Sequence, residues 1–225
     1  MSKLTMKPRS THAFIQKSGR LRLVLTAGAL AAATVAVTSA AATDYARLNI
    51  VGDSLIGFPD RFDIGVVKAD GKVEQADTET GFDWAVAGAA DLVPGRSVET
   101  TIPVFNNTPT VKADTTFKIV LRNGDGTVAA GVPNILSFLR FTAADESGKV
   151  LVSNVTWDQA KGSLGVLEPR WGAVLRQGDT YTAAAAGSEK KLKLTITYVD
   201  GPGVENFNGG QTAIAVHFDA TSVTQ

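Results

Sequence analysis

Cysteine is absent from the 225-residue sequence, and outside the first 42 residues the only histidine is His217. Without thiols the chain can form neither disulfides nor cysteine-based zinc sites. A single histidine cannot build a multi-histidine metal centre or pair with a cysteine nucleophile. A serine triad stays open, although no Gly-x-Ser-x-Gly motif accompanies it. A carboxylate pair for glycoside hydrolysis also stays open, because only the fold sets its spacing.

Acidic side chains are missing from residues 1–42, whereas six basic ones lie there: Lys3, Lys7, Arg9, Lys17, Arg20 and Arg22. An uncharged stretch rich in alanine, valine and leucine follows over residues 23–42. A basic start, an apolar centre and the small residues Ala40 and Ala42 are typical of an export signal peptide. We predict cleavage between Ala42 and Thr43. Signal peptidase is the expected partner during export, and the mature protein is expected to be secreted or cell-surface associated.

An uncleaved membrane anchor is the alternative for this stretch, because about 20 uncharged residues suffice to span a bilayer. Only six of its residues are strongly apolar: Leu23, Val24, Leu25, Leu30, Val35 and Val37. The threonines, the glycine and the many alanines contribute little to insertion or oppose it. This composition favours a cleaved signal, and contact with a membrane only during export.

The remaining residues, 43–225, carry 16 basic and 22 acidic side chains, a net charge of about −6. Nucleic acid and anionic lipid reward clustered positive charge, so neither is an expected partner. The length suits one domain with its own core. The predicted organisation is a signal peptide over 1–42 and a single domain over 43–225.

Alternation of apolar and polar residues recurs throughout residues 43–225, whereas sustained helical periodicity is nearly absent. The alternation is clearest over 191–199 and 211–219, where the inward positions are Leu192, Leu194, Ile196, Tyr198, Thr212, Ile214, Val216 and Phe218. This pattern predicts half-buried β-strands. It places His217 on a polar face, as a solvated surface residue. We expect these two strands to form a hairpin with a long loop.

Further strands are predicted over 62–66, 97–105, 115–122, 138–142 and 150–157, with hairpin turns at Asp70-Gly71 and around Asp145. Pro103 favours an edge position for its strand, because proline donates no ladder hydrogen bond. Residues 158–178 are expected to be a long connection with one strand over 171–175. About eight to ten short strands at this spacing predict an all-β fold, a single antiparallel β-sandwich of jelly-roll or immunoglobulin-like type.

Five aspartates lie in or near predicted turns: Asp70, Asp125, Asp145, Asp179 and Asp200. None matches a calcium-binding loop, and aspartate and glycine are ordinary turn residues, so we predict neither a metal nor a cofactor. Three tryptophans, Trp84, Trp157 and Trp171, are candidate platforms for sugar rings. Packing in a sandwich core is the competing role for them. An extracellular carbohydrate- or surface-binding module is therefore the alternative function.

A candidate association strand begins almost at the predicted new N-terminus. Over residues 45–51, Ala46, Leu48 and Ile50 alternate with Tyr45 and polar residues. A strand tethered at only one end can pair with its own sheet or with the edge of a neighbouring copy. Exchange between copies would build an open head-to-tail filament. An ordinary first strand of the sandwich is the alternative.

Three local patterns together resemble those of the actinobacterial "alternate signal" exported proteins, a group similar to the TasA/camelysin-like biofilm-fibre family. They are ATDYARLN at 42–49, ADLVPGRSV at 90–98 and IPVFNN at 102–107. The resemblance implies a secreted jelly-roll sandwich that polymerises into surface or matrix fibres. The metalloprotease assignment of camelysin-like proteins does not carry over, since no His-Glu-x-x-His is present. We predict a noncatalytic subunit that associates with itself or with other exported matrix or surface proteins.

Overall fold

The computed structural model describes residues 62–78 and 80–223. The described strands are β1 (Ile64–Val67), β2 (Val73–Glu74), β3 (Arg96–Asn106), β4 (Lys112–Leu121), β5 (Leu139–Ala144), β6 (Val150–Val155), β7 (Lys161–Leu167), β8 (Glu189–Tyr198) and β9 (Ile214–Val223). Short 3-10 turns at Ala89–Asp91, Ile135–Phe138, Trp157–Gln159 and Val204–Phe207 connect some of them. No helix in these residues is long and apolar enough to cross a membrane.

The strands form two antiparallel sheets, one in the order β2-β1-β3-β8-β5-β6 and the other in the order β7-β4-β9. Their apolar faces share one core, in which Phe117 of β4, Phe141 of β5 and Leu192 of β8 are each at most 1% exposed. Two sheets that bury one face each against a common core make a β-sandwich. The all-β prediction is therefore confirmed.

The predicted strand faces and two hairpins are also confirmed. Leu192, Leu194 and Tyr198 are buried in β8, while Lys191 and Lys193 on the alternate face are exposed. The turn at Asp70-Gly71 joins the antiparallel pair β1 and β2, and the turn around Asp145 joins β5 and β6. Side-chain alternation follows from the geometry of a single strand, so a local pattern is enough to predict it.

The predicted hairpin between the last two strands is wrong. β8 pairs with β3 and β5, whereas β9 pairs with β4 in the other sheet, from Lys112↔Val223 to Leu121↔Ile214. The connection over residues 199–213 therefore crosses from one sheet to the other. Alternation specifies which face of each strand is buried, but it carries no information about which strand lies alongside.

The region predicted as a long connection contains β7, and residues 171–175 form no strand. Gly162, Ser163 and Gly165 occupy positions where an alternating strand would carry larger side chains, which hides the pattern. The β4–β7 register also shifts between Thr115 and Thr116. A bulge of this kind breaks the period of two on which strand prediction depends.

Pro103 lies in a strand with a neighbour on both sides, contrary to the predicted edge position, because β3 runs between β1 and β8. Hydrogen-bonding directions alternate along β3, since the Asn106 N–H donates to Ser188 and the Asn107 N–H donates to Asp63 beside β1. The backbone of Pro103, like that of the other odd-numbered residues of β3, faces β1. The last residue pair of the β1–β3 ladder is Val66↔Val104, so Pro103 lies just beyond the end of that ladder. The missing N–H therefore costs no bond to β8.

Candidate functional site

Two groups of predicted residues lie outside the described part of the chain. They are the cleavage-site residues Ala40, Ala42 and Thr43, and the association-strand residues Tyr45, Ala46, Leu48 and Ile50. Three other features predicted from the sequence lie within it: the tryptophans, the turn aspartates and His217.

The three tryptophans lie on separate elements and differ in exposure. Trp84 is half-buried against the core, and its Nε1 donates to Thr100 Oγ1 at 2.9 Å. Trp157 is half-buried against the same core from its 3-10 turn. Trp171 is 60% exposed. Packing against the core covers much of the first two, although Trp84 also lines a cleft of about 450 Å³, and Trp171 is the most exposed of the three.

Trp171 adopts a backbone conformation that bulky residues rarely enter. Its φ is 55°, in the left-handed region. Its N–H donates to Pro109 O at 2.9 Å, and the preceding N–H of Arg170 donates to Thr108 O at 2.9 Å. Such a conformation costs about 1–3 kcal/mol and persists only where the surroundings enforce it. The loop is therefore anchored to the segment that follows β3.

A cleft of about 420 Å³, lined in part by Trp171, lies between residues 170–175 and residues 182–185. We call it the Trp171 cleft. Its lining consists mostly of small residues, and Arg170 is its one ionisable residue. Arg170 is 4% exposed, so the lining presents almost no charge to solvent.

The Arg170 guanidinium joins the two walls of the cleft. Its Nε donates to Ala173 O at 2.9 Å, and its Nη2 donates to Thr182 O at 2.7 Å. Its carbon lies 5.8 Å from the centre of the Phe105 ring and 5.7 Å from that of Tyr181, at cation–π distances. Burial, with a smaller contribution from Glu189, raises the pKa of Tyr181, so this ring stays neutral beside the cation. Arg170 is thus a structural clamp beneath the cleft.

Two asparagines at the end of β3 hold the same region in place, and both are fully buried. Asn107 Nδ2 donates to Leu175 O at 2.7 Å and to Asp63 Oδ2 at 2.9 Å, while its Oδ1 accepts from Leu175 N–H at 2.8 Å. Asn106 Nδ2 donates to Val111 O at 2.7 Å and to Glu168 O at 3.2 Å. Sequence reasoning gave these residues no role. The sequence contains one relevant signal, a pair of amide side chains directly after an apolar strand. If such amides are buried, each needs several hydrogen-bond partners and therefore holds neighbouring segments together.

The outer strand of the three-stranded sheet, β9, has one row of backbone groups with which no strand of the described residues pairs. Arg122 N–H donates to Ala213 O at 3.0 Å, so the odd-numbered residues of β9 form the bonds to β4. The backbone groups of Ile214, Val216, Phe218 and Ala220 point the other way, where no described strand pairs with them. We call this row the β9 edge.

The apolar side chains of the β9 edge are incompletely covered. Ile214, Val216, Phe218 and Ala220 pack against the core, yet each is only half-buried. On the adjacent strand β4, Phe117 is 1% exposed and Ile119 is 3% exposed. The described part of the chain therefore leaves an apolar strip beside backbone with which none of its strands pairs.

Within the described residues, β9 lacks two of the usual protections of edge strands, a bulge and a proline. Its register with β4 is continuous over ten residue pairs, and the strand contains no proline. Two other outer strands of the sandwich, β6 and β7, have irregular registers with their neighbours, and β2 has only two residues. Long, regular and uncovered edges are where sheets add further strands.

Charged groups lie on the outer face of β9. Asp219 accepts from Lys118 Nζ at 2.9 Å through Oδ2, and its Oδ1 lies 2.9 Å from His217 Nε2. Burial raises the pKa of Asp219, but the hydrogen bonds from Lys118 and His217 outweigh this effect and hold the pKa below its ordinary value. His217 is exposed, as its position on the polar face predicts.

This cluster predicts a small acid sensitivity of β4–β9 pairing. Because the folded-state pKa of Asp219 is lowered, its stabilising contribution is present above the ordinary carboxyl pKa of about 4 and is lost as the pH falls through the folded-state value. The side chain is half-exposed, so we expect less than about 1 kcal/mol.

Urea unfolding of Asp219→Asn across acidic and neutral pH checks this prediction. At neutral pH the free energy of unfolding of the variant should be lower than that of the unaltered protein, and this difference should disappear in acid. A deficit of Asp219→Asn that does not change with pH would contradict the assignment.

Four turn aspartates have structural roles. Asp70, Asp125, Asp145 and Asp179 each accept a hydrogen bond from a backbone N–H in the same turn, at 2.7–3.0 Å. The bonds from Thr127 hold the pKa of Asp125 below its ordinary value, and the bond from Ser147 does the same for Asp145. Across residues 62–78 and 80–223, no group of three or more ionisable side chains is placed to hold a metal ion.

No protein-family model and no curated protein matches this chain. The resemblance to exported fibre proteins therefore stays a prediction, and a functional proposal has to rest on the β9 edge and the Trp171 cleft.

Proposed function

We propose that this protein is a secreted, noncatalytic structural subunit that associates with copies of itself, or with other exported matrix or surface proteins, by β-strand addition. The β9 edge is the observation that supports the proposal best. Its four outward backbone units offer hydrogen bonds to an incoming strand, and its half-buried side chains offer an apolar strip that the strand would cover. One incoming strand would therefore form the backbone hydrogen bonds and bury the apolar strip at the same time, as in other cases of strand addition.

The incoming strand in this proposal is residues 45–51 of another copy, released at its N-terminus when the signal peptide over 1–42 is removed. Its alternation would turn Ala46, Leu48 and Ile50 towards the apolar strip. Residues 52–61 connect this segment to the described domain and span at most about 33–36 Å when extended. That reach allows the segment to leave its own domain and pair with a neighbour. Donor and acceptor lie on different parts of one chain, so repeated pairing gives an open filament.

Truncation tests this proposal directly. Purified protein comprising residues 43–225 should form filaments visible by electron microscopy, while protein comprising residues 52–225 should sediment as a monomer with an unchanged β-sheet circular dichroism spectrum. The physical reason is that the truncation removes the donor strand and leaves the sandwich intact. Filaments that form equally well from the truncated protein would refute the donor role.

Matched double substitutions test which face of the strand contacts the strip without deleting any residue. Leu48→Lys with Ile50→Lys places charge at the positions proposed to face the strip, so filaments should be lost. Tyr45→Lys with Asn49→Lys adds the same two charges on the alternate face, where assembly should survive. Equal loss in both double variants would contradict the proposed orientation of the strand.

A further inference from the structure

We infer that the Trp171 cleft binds the neutral sugar rings of an extracellular polysaccharide. This inference goes beyond self-association, because the cleft lies on the loop between β7 and β8 and includes no residue of the β9 edge. Trp171 is 60% exposed, so its ring is free to contact a ligand.

The strained backbone at Trp171 supports a ligand-binding role. Glycine or asparagine would occupy a φ of 55° with little or no strain, yet a tryptophan stands there. Strained backbone conformations of this kind are frequent at ligand-binding sites, where the surrounding structure fixes the orientation of a side chain that contacts the ligand. The bonds from Trp171 to Pro109 and from Arg170 to Thr108 supply that restraint. A ring fixed before binding loses little entropy when a ligand arrives.

The lining of the cleft selects the chemistry of the ligand. Its one ionisable residue, Arg170, is buried: Nε and Nη2 bond to Ala173 and Thr182, and Nη1 has no hydrogen-bond partner among the described residues. No solvent-exposed cation is therefore offered to a phosphate or an anionic lipid. The remaining lining residues are Trp171, Leu175, Thr182, one glycine and four alanines. A pyranose ring combines an apolar C–H face, which suits the electron-rich face of an indole, with hydroxyls that bond to backbone groups.

The size of the cleft fits this ligand class. A volume of about 420 Å³ lies within the ordinary range for small-molecule sites. The two walls are joined by Arg170 and anchored through Leu175 to Asn107, so the cleft keeps its shape without a ligand. A rigid, shallow aromatic site of this kind suits one or two rings of a longer glycan.

Titration of the mature protein, residues 43–225, with neutral oligosaccharides tests the inference. The probes are cellohexaose, maltohexaose, mannohexaose and chitohexaose, followed by calorimetry and tryptophan fluorescence. We expect at least one to bind with a dissociation constant of about 1 mM or tighter, and Trp171→Ala to weaken it at least about tenfold. Absence of binding by all four probes overturns the inference.

Trp171→Gly separates binding from folding. Glycine relieves the positive φ, so this variant should unfold at the same or a higher temperature while losing the oligosaccharide. Val174→Ser, at a neighbouring residue that is 43% exposed and outside the cleft, is the control and should bind normally. Retained affinity in Trp171→Gly, or equal loss in Val174→Ser, contradicts the site.

Two further readouts distinguish this inference from other outcomes. Trp171-dependent binding to phosphatidylcholine vesicles, with no oligosaccharide binding, would indicate a membrane contact and overturn the sugar assignment. Filament formation by Trp171→Gly should match that of the unaltered protein, because the β9 edge is untouched. Failure of the sugar site and failure of self-association are therefore observed separately.

Discussion

Replacing Asn107 with alanine is expected to lower the free energy of unfolding by about 3 kcal/mol. The side chain is fully buried and forms three hydrogen bonds, two with the backbone of Leu175 and one with the Asp63 carboxylate. Alanine removes all three and leaves the N–H and C=O of Leu175 without these bonds. Each buried polar group that loses its partner costs about 1–3 kcal/mol, so this single position affects β1, β3 and the loop after β7 together.

Urea unfolding followed by circular dichroism measures this effect. Asn206→Ala is the matched control, because Asn206 is exposed on the 3-10 turn Val204–Phe207, and its change should stay within about 0.5 kcal/mol. Asn107→Ala should also weaken oligosaccharide binding, since Leu175 lines the Trp171 cleft. A stability change in Asn107→Ala no larger than that of the control would show that the buried bonds contribute little.

Replacing Val216 with proline is expected to abolish filaments while the domain stays folded. The Val216 N–H belongs to the β9 edge, so its loss removes no bond to β4. It does remove a donor that an incoming strand needs, and the proline ring fills space beside the edge. We expect the free energy of unfolding to fall by about 1 kcal/mol, because Val216 is half-buried and proline suits strands poorly.

Ala215→Pro is the matched control for the neighbouring position. Ala215 is paired with Val120 of β4, so its N–H lies on the bonded side of β9. Proline there should cost about 2–3 kcal/mol, through the lost bond and the acceptor left without a donor. The measurements are urea unfolding for stability and electron microscopy for assembly. Filaments that persist in Val216→Pro would exclude the β9 edge as the acceptor.

The sequence was sufficient where local geometry decides the outcome. Leu192 and Leu194 of β8 are buried and Lys193 between them is exposed, because successive side chains of a strand point to opposite faces. Asp70 and Asp145 occupy turns, since aspartate bonds the backbone two residues onward. His217 lies on the exposed face for the same reason of alternation.

The sequence was insufficient where distant residues meet. β8 and β9 look like consecutive strands of one hairpin, yet they belong to different sheets. Trp84, Trp157 and Trp171 are equivalent candidates by composition, and only the packing of the sandwich separates the two half-buried rings from the exposed one. Asn107 forms hydrogen bonds with Leu175 and Asp63, and no sequence pattern predicts either partner.

What the sequence determined by itself is the pattern of buried and exposed faces, the turn chemistry and hence the all-β class, because each follows from a few adjacent residues. The tertiary structure alone decided the strand order, the side of β9 that no described strand covers, and the place of Trp171 in the lining of its cleft. These depend on the pairing of β9 with β4 and on the bonds from residues 107–109 to residues 170–175. Contacts between segments so far apart arise only when the whole domain packs, and the proposed functions rest on such contacts.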